Sequence, residues 1–557
     1  MVTWMIRRAR TTGLAGAALA GALLACALLA AAALAAATAG AATGAASSNG
    51  TDADGKRWWS HVRYLADDKL EGRKTGSEGH RKAAQYVAAE FKRYGLKPAG
   101  TVGYLQPVRF HVRQIDEPRS SLELLRDGKG ERVTLGEAAS FSMRSEVADH
   151  VEAPAVFVGY GLSIPEAKHD DLEGIDLQGK IAVYLTGGPK SIPSAMKAHY
   201  SSTAERWKAF SKAGAIGWAV IQNPKSMDIP WERSSPRRLQ PAMSLADPGL
   251  QDTQGLKFAL TVNPAKADLF LAGSGHTIGE ILEAADADKP VPRFPLAASF
   301  RAAVAVTRSG VESQNVAGLL PGGDPKLKDE YVVLTAHLDH LGIGAPIGGD
   351  AIYNGAMDDA SGIATLIEMA RTLKESKAVP KRSILFLAVT GEEEGLQGSK
   401  YFANHPTVDA RKIVADLNVD MVLPIHPLRF LEVQGLDEST LGDDIRAVAK
   451  AEGVEVQSDR EPDRVLFVRS DQYSFIRKGV PALAFKFSSE PGSAEEKLQK
   501  EWIHTRYHAP SDDLNQPVDL QAAARFDRLV LDLAERVADG PGRPAWKDDS
   551  FFRRFAN

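Results

Sequence analysis

Five short stretches of the chain carry side chains that could hold a metal or move a proton. The first is "VVLTAHLDHLG", Val332 to Gly342, where an apolar run ends in His337, Asp339 and His340. A run so rich in valine and leucine reads as a strand covered on both faces of a parallel sheet. The others are "NGAMDDASG" with Asp358 and Asp359, "FLAVTGEEEGLQGS" with Glu392, Glu393 and Glu394, "ADLNVDMV" with Asp420, and "RYHAPSDD" with Tyr507 and His508. Each alone has an ordinary account: the paired aspartates cap a helix, the glutamates form a solvated loop, and His508 sits in a turn. Together, two histidines and three carboxylates form a hard-to-borderline nitrogen and oxygen donor set that suits zinc, with no thiolate to point to another metal class. Asp420 weighs most. It follows "LNV" inside a strand-like run, and a charge buried at a sheet terminus is costly unless paired or metal-bound. The spacing of His337 and Asp339 lets the carboxylate take the second imidazole N–H and fix the ring's tautomer.

These residues fall where predicted elements end. From Ser313 onward strands and helices alternate. A strand over 332–336 is followed by a helix over 360–375, with Ile363, Leu366, Ile367, Ala370 and Leu373 on one face. Then come a strand over 384–389, a helix over 397–404, strands over 413–421 and 429–434, a helix over 441–452, a strand over 481–487 and a closing helix over 519–538. This order predicts a three-layer α/β sheet with helices on both faces, whose site lies at the carboxyl ends of the strands. Upstream, helices are expected over 58–65 and 80–94, the second with Ala84, Val87, Ala88 and Phe91 on its apolar face. Between about 151 and 290 the texture is β-rich ("APAVFVGYGL", "GKIAVYLTGGP", "AGAIGWAVIQNP"), with Gly/Pro turns that suggest a separate small domain. His169, His199 and His276 lack partners at ligand spacing there and read as surface or core residues.

The chain's 557 residues allow several domains, and 44% hydrophobic with 25% charged residues is ordinary for a globular protein. A net charge of −4 with no long Lys/Arg run excludes a nucleic-acid surface. The first 46 residues are different. Arg7, Arg8 and Arg10 precede an uncharged Ala/Leu stretch from Gly13, and Ala37-Thr38-Ala39 offers an A-x-A cleavage site. A signal peptide or membrane anchor over 1–46 is expected, with cleavage near Ala39 to Ala46 and a periplasmic or extracellular destination. Cys26, the only cysteine, lies in "LLAC", which resembles a lipoprotein box, although the apolar run continues past it. The remainder has no disulfide or thiolate chemistry.

From about Leu65 to the closing helix the sequence resembles the co-catalytic dizinc aminopeptidases of the aminopeptidase S and aminopeptidase Y type. "LADDKLEGRKTGSEG" resembles their entry segment, and "FVGYGL" with "DLQGKIAVYL" resembles a protease-associated domain. The resemblance implies an α/β, three-layer αβα zinc-exopeptidase (phosphorylase/hydrolase-like) domain. Its parts would be 56–140 and 296–540, with the protease-associated domain over 141–295 and a tail over 541–557. It further implies two zinc ions and peptide substrates. His337 and Asp420 would hold one zinc, Glu393 and His508 the other, and Asp358 would bridge both, with a cis peptide to Asp359. Glu392 would be the general base and Tyr507 the donor to the developing oxyanion. Glu394 departs from the family, where a hydrophobic residue is common, and this loosens the register of the glutamate pair. The fold is shared by dizinc carboxypeptidases of the glutamate carboxypeptidase type, by one-zinc glutaminyl cyclases and by non-catalytic ectodomains of the transferrin-receptor branch. The full ligand set disfavours the last two. No arginine cluster in the sequence is assignable to an acidic side-chain pocket.

Overall fold

The computed structural model describes residues 52–556, apart from 462, 463 and 465. The expected leader over 1–46 lies outside the described residues. Among the described residues, no helix is long and apolar enough to cross a membrane.

Apolar strands after residue 313 build the centre of a ten-stranded sheet. Its order is Ala242–Leu245, Leu105–Ile115, Val306–Leu320, Ser383–Val389, Tyr331–His337, Ile413–Asn418, Ala482–Ser488, Phe430–Gln434 and Glu455–Gln457, with Lys97–Pro98 beside Val306–Leu320. The four strands Ser383–Val389, Tyr331–His337, Ile413–Asn418 and Ala482–Ser488 run parallel, so their carboxyl ends share one edge. Alternation along each strand feeds two cores. Val332, Leu334 and Ala336, with Ile384, Phe386 and Ala388, face the large cluster. Helices 52–65, Glu78–Arg93, Ser361–Ser376, Leu441–Ala451 and Leu520–Asp539 pack there. Val333, Leu385, Leu387 and Val389 face the opposite layer with Phe402 and Phe475, from Gln397–Asn404 and Gln472–Ile476. This is the expected mixed α/β fold with helices on both faces.

Most predicted elements match to within about two residues; the first helix, expected over 58–65, is already formed at 52, and one strand departs informatively. The strand expected over 413–421 stops at Asn418. Val419 N–H still bonds Thr335 O at 2.8 Å. Met421 then takes a left-handed φ of 57° and turns the chain off the sheet. Asp420 is therefore released into the space above the strand ends, rather than fixed inside a strand.

A second, eight-stranded sheet runs Lys129–Arg132, Ser121–Arg126, Arg293–Ala303, His150–Val158, Ile181–Leu185, Gly217–Ile221, Phe258–Val262 and Ala139–Phe141, around its own apolar cluster. It takes in strands before residue 141 and extends past 295. Conversely, Ala242–Leu245 leaves this unit to form the edge of the large sheet against Leu105–Ile115. Of its histidines, His169 pairs with Asp171 at 3.0 Å and His276 stacks on Phe294. His199 is buried, with Nδ1 2.7 Å from the Tyr473 hydroxyl. None of the three belongs to a group that could hold a metal.

Candidate metal centre

His337 closes its strand, and the carboxyl ends of the neighbouring parallel strands deliver Glu392, Glu393 and Asp420 to the same edge. Asp358 arrives from a distorted turn over Ala356–Ala360, just before the helix Ser361–Ser376, and the Asp358–Asp359 peptide is cis. His508, with a positive φ of 52°, comes from the loop before the closing helix. These side chains meet. His337 Nε2 lies 3.0 Å from Asp358 Oδ1 and 3.5 Å from Asp420 Oδ1. His508 Nε2 lies 3.2 Å from Asp358 Oδ2 and 3.2 Å from Glu393 Oε1. Asp358 thus offers one oxygen to each side.

His340 is a further member that sequence reasoning left without a role. It is buried, and its Nδ1 lies 2.9 Å from Glu393 Oε1 and 3.9 Å from Asp358 Oδ2. Two ligand groups emerge, His337/Asp358/Asp420 and His340/Asp358/Glu393, with the ligand atoms of each within 4.8 Å of one another. Neither His340 Nδ1 nor Glu393 Oε1 makes an aligned hydrogen bond, although both His340 and His508 lie close to that oxygen. Such an arrangement is costly for buried polar atoms unless a cation joins them. The donor set fits zinc: nitrogen and oxygen ligands only, grouped in two clusters that share one carboxylate.

The electrostatics agree with this fit. Burial opposes an imidazolium at His337, yet contacts with Asp358 and Asp420 outweigh it and raise the pKa well above the ordinary value. His508 is likewise raised, against burial, by Glu393 and Asp358. Burial tends to raise Glu393, but His508 and His340 overcome it and hold this carboxyl well below the usual range. Imidazolium protons balance the carboxylates here, and a divalent cation does the same at the same atoms. Glu392 is placed differently. Burial drives its pKa well above the ordinary value, reinforced by Asp420 and Glu393 although His337 opposes it, and it belongs to neither ligand group. Burial also raises the Tyr507 phenol, which lines the same cavity as Glu392, His337 and His508.

One expected contact is not made as expected. His337 Nδ1 meets the main-chain oxygen of Asp339 at 3.0 Å, while the Asp339 carboxylate is 4.0 Å away. That carboxylate instead accepts from Thr75 Oγ1 at 2.8 Å and from Glu392 N–H at 3.2 Å. The chain folds back so tightly after His337 that the carbonyl reaches the ring first. Asp339 therefore anchors the Glu392 loop to the entry segment.

Three groups support the site in ways that sequence reasoning did not assign, although the sequence marks Asp359 as a helix-cap candidate. Asp359 accepts main-chain N–H bonds from His337 (3.2 Å), Gly362 (2.9 Å) and Met421 (3.0 Å), tying three site segments together. Asp512, in "SDD", accepts from Met357 N–H at 3.0 Å and Asp358 N–H at 3.1 Å. Arg73, fully buried, donates to the carbonyls of Leu65, Leu338, Asn354 and Gly355, and burial lowers its pKa to about 10. The only sequence signals were the adjacent aspartates before a helix and an arginine within "EGRKTG". Glu394 has its own work: Lys74 Nζ is 3.3 Å from Oε1, and Met243 N–H donates to Oε2 at 3.0 Å. Glu393, not Glu394, meets the histidines.

Residues 315–534 match the model of Peptidase family M28. The chain is 30% identical over 246 residues to leupeptin-inactivating enzyme 1 of Streptomyces exfoliatus, covering 43% of this chain and 52% of that protein. It is 28% identical over 226 residues to aminopeptidase YwaD of Bacillus subtilis, covering 39% and 45%. The chain thus spans about half the length of these curated relatives. In fold it resembles an aminopeptidase from Aneurinibacillus sp. strain AM-1, with a TM-score of 0.53 at 21% identity over 88% of this chain and 95% of that one. Residues 315–534, which carry the parallel centre of this sheet and most of the residues gathered at its carboxyl edge, are thus similar to peptidase family M28.

Proposed function

We propose that the protein is an exported zinc aminopeptidase that binds two zinc ions and removes N-terminal residues from peptides. The observation that carries this reading is the sharing of Asp358 between two ligand groups, one buried and one partly exposed at Asp420, with Glu392 beside them and outside both. His337 and Asp420 would hold one zinc, Glu393 and His508 the other, with His340 close to Glu393 on that second side. Zinc bound there would lower the pKa of a water and polarise the scissile carbonyl. Glu392 accepts the water's proton and returns it to the leaving amine. Tyr507 donates a hydrogen bond to the carbonyl oxygen as charge develops on it. The eight-stranded unit, read as the protease-associated domain, walls the cavity of about 640 Å³ through Ala198, Arg144 and Arg237.

A panel of aminoacyl anilides and their N-blocked counterparts, assayed with and without chelator, tests the reading. Free-amine anilides are cleaved, blocked ones are not, and activity is lost on chelation and restored by zinc. Equal cleavage of blocked substrates transfers the assignment to an endopeptidase, and cleavage confined to N-blocked peptides with a free C-terminal carboxylate transfers it to a carboxypeptidase. Elemental analysis is expected to find about two zinc ions per chain. Export is tested by N-terminal sequencing of the native protein, which should begin between Ala39 and Ala46. A start at Met1 in a membrane fraction points to an anchor, and lipid on Cys26 to a lipoprotein.

A further inference from the structure

Beside the Glu393 end of the metal cavity, between the two sheets, lies a second cavity of about 290 Å³ that shares Arg144 and Arg237 with the first. Its charged lining is Lys74, Arg144, Arg233, Arg237, Arg238 and Glu394. Two of these cations are already neutralised. Arg238 holds Glu117 through two contacts of 2.6 and 2.7 Å, and Lys74 pairs with Glu394. Among the described residues, Arg144 and Arg233 have no such partner, and Arg237, with Nη1 3.1 Å from His508 Nδ1, shares its one carboxylate with the candidate metal site. Arg144 donates to the main-chain oxygen of Glu393, and among the described residues it has no ion pair. Arg233 donates through Nη1 to His504 O at 2.6 Å, while its Nε and Nη2 are buried without a partner. Burial also lowers the Arg233 pKa. Arg237 has its nearest carboxylate, Glu393, at 3.6 Å, and that group belongs to a metal-ligand set.

The two buried Arg233 nitrogens without a counter-charge are costly, Arg144 is exposed to the cavity, and the planar fork of arginine matches a carboxylate in a two-point contact. All three arginines come from the eight-stranded unit or its connections, and two sit within nine residues of chain, in "WERSSPRRL". We propose that this cavity is a carboxylate-binding subsite, in which Arg144, Arg233 and Arg237 receive an anionic group of the residue just beyond the scissile bond. The group is either the free carboxylate of a short peptide or an acidic side chain. The inference rests on the peptidase reading and names its substrate class: short or acidic peptides.

The test uses the full-length zinc-loaded protein and three substrates that share one N-terminal residue: a dipeptide free acid, its C-terminal amide, and the amide with glutamate in second position. The free acid is expected to exceed the amide in kcat/KM by at least about tenfold if the terminal carboxylate is read, as one charge-assisted pair suffices for that. The glutamyl amide exceeds the plain amide instead if the side chain is read. In the double variant Arg233→Gln/Arg237→Gln the preference falls to near unity, chiefly through KM. Circular dichroism and zinc content of that variant are measured alongside, and Arg233→Lys is expected to retain part of the preference. Equal hydrolysis of all three substrates by the unaltered protein overturns the subsite and leaves the peptidase reading intact. A preference that persists in a folded, zinc-loaded double variant also overturns it. Cleavage of none of the three overturns the peptidase reading itself.

Discussion

Glu392 and Glu393 are neighbours in sequence with opposite surroundings. Glu393 meets His340 and His508, whose charges hold its carboxyl low, whereas burial and nearby carboxylates hold Glu392 high. A proton carrier needs a pKa within reach of neutrality, and a ligand needs to stay ionised. Glu392→Gln is therefore expected to keep both zinc ions and lower turnover by roughly 10²–10⁴-fold, the usual cost of losing a general acid–base. Glu393→Gln loses zinc instead, because a neutral amide is a poor substitute for a charged ligand. Zinc content and turnover of the two variants decide between them. If Glu392→Gln loses the metal and Glu393→Gln keeps it, the roles are exchanged.

At the scale of elements, the turn between Gly355 and the helix Ser361–Ser376 sets the shared carboxylate. Gly355 has φ 61°, and a Cβ there would stand 2.2 Å from Asp358 O and 2.5 Å from His340 Cγ. Gly355→Ala must move both, so stability is expected to fall by about 1–3 kcal/mol, together with zinc retention. Thermal melts and elemental analysis check this, and unchanged metal content would show that the turn tolerates a side chain. On the far side of the same helix, Asp527 of Leu520–Asp539 is buried, and accepts from Thr365 Oγ1 at 2.6 Å. Burial raises its pKa well above 3.8. A carboxyl raised in the folded state costs nothing when protonated in both states, and its ionisation penalty appears as pH rises from the unfolded pKa through the folded one. Asp527→Asn is thus expected to be the more stable protein at neutral pH by about 1 kcal/mol or more, with the advantage vanishing in acid. Melting curves at neutral and acidic pH measure it. An asparagine variant that is less stable at neutral pH contradicts the assignment.

At the scale of the whole molecule, the two sheets are joined close to the site. His199 bonds Tyr473, Asp228 pairs with Arg464 and Arg469, and Arg233 reaches His504 O. The ligands come from segments as far apart as His337 and His508, so metal binding needs the assembled fold and stabilises it by mass action. Zinc added to chelated protein at a hundredfold excess over its Kd is expected to contribute about 2.7 kcal/mol. Calorimetry across a zinc titration reads this as a rising Tm, and a Tm indifferent to zinc would separate metal binding from folding.

The candidate ligands were legible as polar clusters at predicted strand and helix ends, because metal chemistry restricts residue types, and the resemblance to the dizinc aminopeptidases singled out one member of each cluster. His337, Asp358, Glu393, Asp420 and His508 each follow or precede a strongly patterned strand or helix, and the fold brings all five together. The helix and strand order was legible for the same reason: buried parallel strands are uniformly apolar and their covering helices are one-faced. What the sequence could not show was decided by long-range packing. His340 stands three residues from His337, and only the folded loop shows that it reaches Glu393. Whether the Asp339 carbonyl or carboxylate meets His337 depends on backbone direction, which residue type does not encode. Arg237 lies 271 residues from His508 in the chain, yet 3.1 Å from it in space. No local pattern marks such a pair, because an arginine on a loop is solvated unless another part of the chain is laid against it. The chemistry of the metal centre was therefore set by local sequence, and the cationic surface facing it by the docking of one sheet against the other.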